Sequence, residues 1–239
     1  YTLSSLLSSS PITTAAEAGS YASKMVPPGF NGVPIYSQTA DPRWNNLPYS
    51  KNGSCTDQYS SLPGNEATIA TSGCGPTSLS MLINYWAIKG KTKFTGPKEI
   101  AKLCDATGAR ICGAGTALMI VKSKLKSEFG LIIETVSSDS KIEDYLRRGI
   151  PCVISGKHYK GYNILGEKSD KTYNGGHFVC LTGIDSEGRI RVNDPGASAN
   201  LASEAHPKGK SAITHFKASL SNSVQVNQKV VIYPVGESV

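Results

Sequence analysis

The apolar positions change rhythm along the chain. Between Ser72 and about Lys89 they recur at helical spacing, with Leu79, Leu82, Ile83 and Trp86 on one stripe and Gly90 as a stop. A second helix is predicted from Pro97, a residue suited to a first helical turn, and carries Ile100 and Leu103. A third is predicted from about Gly115 to Phe129 on Leu118, Val121, Leu125 and Phe129. Leu131 to Val136 then reads as strand, and Ser138 or Asp139 caps a helix bearing Ile142, Tyr145 and Leu146 that stops at Gly149. Pro151 to Ser155, His177 to Ile184, Arg189 to Asn193 and Lys229 to Val235 read as strands. Helices first and strands second predict an α+β fold, with the helices packed on a largely antiparallel sheet.

Other stretches show little period. Residues 1–28, rich in Ser, Thr and Ala, read as a linker or tether, and residues 29–239 as one domain. Residues 50–70 read as a polar surface loop, and 197–228 as polar loops. The first residue is Tyr1, as expected of a processed chain or a fragment.

Composition narrows the class. The 239 residues are 39% hydrophobic and 18% charged, enough for a sizeable core, and no apolar run reaches the length of a membrane span. The net charge of +7 is scattered, which suits anionic partners such as cell-wall polymers. No phosphate loop, dinucleotide fingerprint or nucleic-acid module occurs, so no cofactor and no nucleic-acid partner is expected. Six cysteines without a CxxC are too few for a disulfide scaffold. Cys104 and Cys112 flank a Gly-containing turn and could pair if the chain is secreted, whereas Cys152 and Cys180 lie in strand patterns as buried thiols.

The chemistry starts at Ser72-Gly73-Cys74-Gly75-Pro76-Thr77-Ser78. This places a thiol where a helix opens, and the helix dipole and free N–H groups there favour thiolate. A base is available in His177, which follows Gly175-Gly176 and begins a strand; His158, His206 and His215 are weaker candidates. Asp194 ends the next strand. In a hairpin the start of one strand lies beside the end of the next, so His177 and Asp194 are neighbours by topology, and the carboxylate can fix the imidazole tautomer. Gln38, upstream, can donate to a developing oxyanion together with the Cys74 N–H. Each feature alone has an ordinary structural explanation; their order along the chain suits a single cleft. His177 and Cys180 share an HxxC spacing, but positions three apart on a strand point to opposite faces, which disfavours a metal site.

Gln38 with the following Asp-Pro-Arg-Trp, the Cys74 motif, Gly-Gly-His177-Phe-Val and Asn193-Asp194-Pro195 together resemble the papain-like cysteine peptidases. The branch they resemble is that of the bacteriocin-leader-processing (double-glycine) peptidases. The resemblance spans about residues 33 to 196. It implies a papain-like fold, Cys74 as nucleophile, His177 as base and then acid, Asp194 as orienting group and Gln38 as oxyanion donor. Leader peptidases are joined to a transporter, and this chain carries none, which makes a free-standing member the expectation. The expected substrate is then peptidoglycan stem or cross-link peptides, for a secreted, cell-wall-associated or phage-borne enzyme. The alternatives are a protein- or leader-processing protease and a non-catalytic binding module on the same fold.

Overall fold

The computed structural model of the protein describes residues 30–159, 175–196, 213–216 and 219–239. The expected tether at 1–28 and the weaker base candidate His206 lie outside them. The helices are α1 (Ile69–Ser72), α2 (Cys74–Ile88), α3 (Pro97–Thr107), α4 (Lys122–Phe129), α5 (Asp139–Arg147) and α6 (Leu220–Ser223). A small hairpin pairs β1 (Arg110–Ile111) with β2 (Gly115–Thr116). The main sheet holds β3 (Leu131–Thr135), β4 (Cys152–Lys157), β5 (His177–Ile184), β6 (Ile190–Asn193), β7 (Ile213–His215) and β8 (Gln225–Pro234). Their order is β3-β8-β4-β5-β6-β7, and every adjacent pair is antiparallel. The α+β architecture read from the sequence is therefore present.

Helix α2 is the spine of the core. Its residues from Gly75 to Ala87 are all buried, so the helix is enclosed on every side. Burying each aliphatic side chain such as Leu79, Leu82 or Ile83 contributes about 1.5–3 kcal/mol. Two of its buried polar side chains tie it to its surroundings, while the hydroxyls of Thr77 and Ser78 are buried without a partner among the described residues. Asn84 Nδ2 donates to the Thr95 carbonyl at 2.7 Å, and Asn84 Oδ1 accepts from the Thr95 N–H at 3.0 Å. Trp86 Nε1 donates to the Ile232 carbonyl of β8 at 2.7 Å, fastening the helix to the sheet. Helices α2 and α5 both pack on β5, which explains why that strand is a nearly unbroken apolar run. Ser138 caps α5, its hydroxyl accepting from the Lys141 N–H.

Three expectations are corrected. The predicted helix from Gly115 begins instead with β2, passes through a 3-10 turn at Leu118–Val121 and becomes α-helical only at Lys122, because Gly115 and Thr116 pair with β1. Within 197–228, read as loops, lie β7, α6 and the first residues of β8. Their side chains are mostly polar, but edge pairing and the Gly156 register supply the order that periodicity does not. The disulfide joins Cys55 to Cys112, not Cys104 to Cys112. Cys104 faces inward from α3 beside Ile100 and Ala101 and is a fully buried free thiol, while Cys112 sits at the exposed hairpin tip, where the loop after Ser50 brings Cys55 to it. Cys152 and Cys180 are buried free thiols, as expected.

Candidate active site

Cys74 is the first residue of α2, whose opening N–H groups lack helical acceptors. Its neighbour Gly75 is required by space. A Cβ there would lie 2.6 Å from Thr116 Oγ1 and 2.8 Å from Thr116 Cβ. Thr116 cannot give way easily, because its hydroxyl shares a 2.6 Å hydrogen bond with the buried Tyr49 hydroxyl. The β1–β2 hairpin thus seats the start of α2, and Cys55–Cys112 ties that hairpin to the loop opposite.

His177 opens β5, and Asp194 directly follows β6. The hairpin brings them together: His177 Nε2 lies 2.6 Å from Asp194 Oδ1. That oxygen also accepts from the Gly196 N–H at 2.7 Å. Asp194 is fully buried and His177 is 7% exposed, while Cys74 stays partly accessible. With Nε2 engaged by Asp194, Nδ1 is the ring nitrogen left for the Cys74 sulfur, with which the imidazole is hydrogen-bonded.

The electrostatics agree with this chain of contacts. Burial pushes the Cys74 thiol up, but the His177 hydrogen bond and charge, with the Phe178 and Gly75 N–H groups directed at the sulfur, bring it below the usual thiol range. Burial likewise disfavours protonated His177; the Asp194 carboxylate and then Cys74 outweigh it, and the imidazole is pushed up to about 10. Both directions favour a thiolate–imidazolium pair over the neutral one.

Gln38 is also at this site. Its N–H donates to the Pro195 carbonyl at 2.8 Å, and its Nε2 donates to the carbonyls of Ala70 at 2.9 Å and Ile69 at 3.3 Å. In the resting geometry its side-chain donors brace the turn before Cys74, so donation to an oxyanion needs those bonds to be exchanged. Of the other histidines, His158 follows β4 on exposed backbone with φ 55°, and His215 lies opposite Arg191 in the β6–β7 register. Among the described residues no group of three or more His, Cys, Asp or Glu could hold a metal ion.

The structure adds contacts that sequence reasoning missed. Tyr159 donates its hydroxyl to the His177 carbonyl at 2.6 Å, and no pattern in the chain signals this. A Cβ on Gly196 would lie 2.9 Å from His177 Cε1 and 3.3 Å from Asp194 Oδ1. In the sequence that glycine is simply the residue that follows Asn193-Asp194-Pro195.

A family model described as the Peptidase C39 like family matches residues 30–219. The chain belongs to the C39-like family of cysteine peptidases. A crystal structure from Bacillus anthracis described as a C39-like peptidase is similar over 78% of this chain and 97% of its own, at 16% identity and a TM-score of 0.45. No curated protein matches the chain. The family's match spans Gln38, Cys74, His177 and Asp194 alike. Among the described residues no helix is long and apolar enough to cross a membrane.

Proposed function

We propose that Cys74, His177 and Asp194 act as a catalytic triad that hydrolyses amide bonds in peptidoglycan stem or cross-link peptides. The observation that carries the triad is the position of the His177 ring, bonded through Nε2 to Asp194 and meeting the Cys74 sulfur on its other side. The thiolate attacks the scissile carbonyl carbon and forms a tetrahedral oxyanion. The Cys74 N–H, and a Gln38 amide released from Ala70, stabilise it. His177 gives its proton to the leaving amine, and the acyl group remains on sulfur. The imidazole then takes a proton from water, the hydroxide displaces the thiolate, and the carboxylic acid leaves. Asp194 holds the ring and its charge throughout.

The wall substrate rests on a coarser base. The +7 charge suits anionic wall polymers, and the Cys55–Cys112 disulfide suits an oxidising, extracellular or wall-associated location. Purified cell wall incubated with the protein should release new amino groups, and the Cys74→Ala variant should release none. Cleavage of L-peptide libraries without release from wall would turn the assignment to protein or leader-peptide processing. No reaction with either substrate, together with an ordinary Cys74 thiol, would leave a binding module.

A further inference from the structure

Tyr159 lies just beyond the end of β4 and is fully buried. A buried phenol must spend its O–H on an acceptor, and this one spends it on the main-chain carbonyl of His177 at 2.6 Å. Its ring meets the imidazole edge-on, with centroids 6.2 Å apart at 72°, and stacks on Phe216 at 6.4 Å and 17°. The His177 carbonyl and the Phe178 N–H are the two ends of one planar peptide unit. That N–H is directed at the Cys74 sulfur. A hydroxyl donating to the carbonyl end fixes the rotation of the plane. It also polarises the unit, so that its N–H becomes a stronger donor.

We propose that Tyr159 is a positioning residue: its hydroxyl clamps the His177–Phe178 peptide so that the Phe178 N–H stays trained on the Cys74 sulfur. This inference rests on the reading of Cys74 as nucleophile and extends it. Asp194 orients the His177 ring through its side chain, and Tyr159 orients the same residue through its backbone. The ionisable groups that act on His177 within this cluster are Asp194 and Cys74. Lys157 approaches from β4, with Cε 3.9 Å from where a Cβ on Gly176 would lie.

The test compares two variants of the full chain. Tyr159→Phe keeps the ring and its stack but removes the O–H; Phe216→Leu loosens the stack and keeps the O–H. The rate of iodoacetamide alkylation of Cys74 is followed against pH, beside kcat/KM on a cleaved peptide and Tm. Tyr159→Phe should move the alkylation midpoint to higher pH and slow alkylation at neutral pH roughly three- to tenfold, the worth of one hydrogen bond, with a near-native Tm. Phe216→Leu should lower Tm and leave the midpoint at its wild-type position. A Tyr159→Phe profile that superimposes on wild type overturns the clamp. So does a Phe216→Leu shift as large as that of Tyr159→Phe. A wild-type Cys74 that alkylates like an ordinary thiol overturns both the clamp and the nucleophile reading beneath it.

Discussion

The start of α2 and the middle of the sheet hold the same functional group under opposite conditions. Cys74 lies at a helix opening, in contact with His177 and two main-chain N–H groups. Cys152 and Cys180 lie on β4 and β5, opposite Leu181 and Val153 in the register, and meet no such donors. Burial acts on all three thiols in the same direction. It pushes Cys152 and Cys180 well above the ordinary range, whereas Cys74 falls below it. The difference teaches that burial alone does not silence a cysteine here: the Arg148 charge is not enough to bring Cys152 down, and what sets Cys74 apart is an imidazole in hydrogen-bond contact together with aimed main-chain donors.

The sharpest way to break this comparison is Cys74→Ala. It should lower kcat/KM on the order of 10^4-fold or more while Tm stays near wild type, measured on any substrate the enzyme cleaves. Asp194→Asn keeps the shape but removes the charge that supports imidazolium, and should cost on the order of 10^2- to 10^4-fold in kcat. The pH profile tests the same pair without mutation. Activity should rise as Cys74 ionises below the ordinary thiol range and fall as His177 loses its proton near pH 10. A decline already beginning at neutral pH would contradict the ion pair. Removing the tie beside the site, by Cys55→Ser with Cys112→Ser, should lower stability by about 2–4 kcal/mol in denaturant melts. At the small end, Cys180→Ala should leave kcat unchanged and cost about 1 kcal/mol, the loss of one buried sulfur from a packed core. A matching loss of activity would mean that the sheet thiol is not inert.

Much of this was legible from the chain. The helix at Leu79 to Trp86 and the strand at His177 to Ile184 stand where the apolar spacing predicts them, because their neighbours are apolar and each local preference agrees with its tertiary setting. The His177–Asp194 contact followed from hairpin topology alone, since a short turn fixes which strand ends meet. The disulfide partner was not legible. Cys112 has a close sequence neighbour in Cys104, and only three-dimensional packing decides that Cys104 faces the core and that Cys55 crosses to the hairpin. Gln38 was legible as a residue of the site but not in its resting bonds, which depend on where the Ile69 and Ala70 carbonyls point. Tyr159 left no trace, because a side chain bonding to a backbone carbonyl on another strand imposes no pattern on its own segment.

The place of β8 in the sheet sets an order of events during synthesis. This strand follows all the others in the chain, yet it is inserted between β3 and β4 and receives the Trp86 indole of α2. A ribosome that has delivered everything through Asp194, the residue after β6, has already supplied Cys74, His177 and Asp194. It has not yet supplied the strand that joins β3 to β4 and fastens the Cys74 helix to both. Contacts this distant in sequence form late and slowly. The nascent chain therefore carries every group of the proposed triad before it has the frame that would hold them in register.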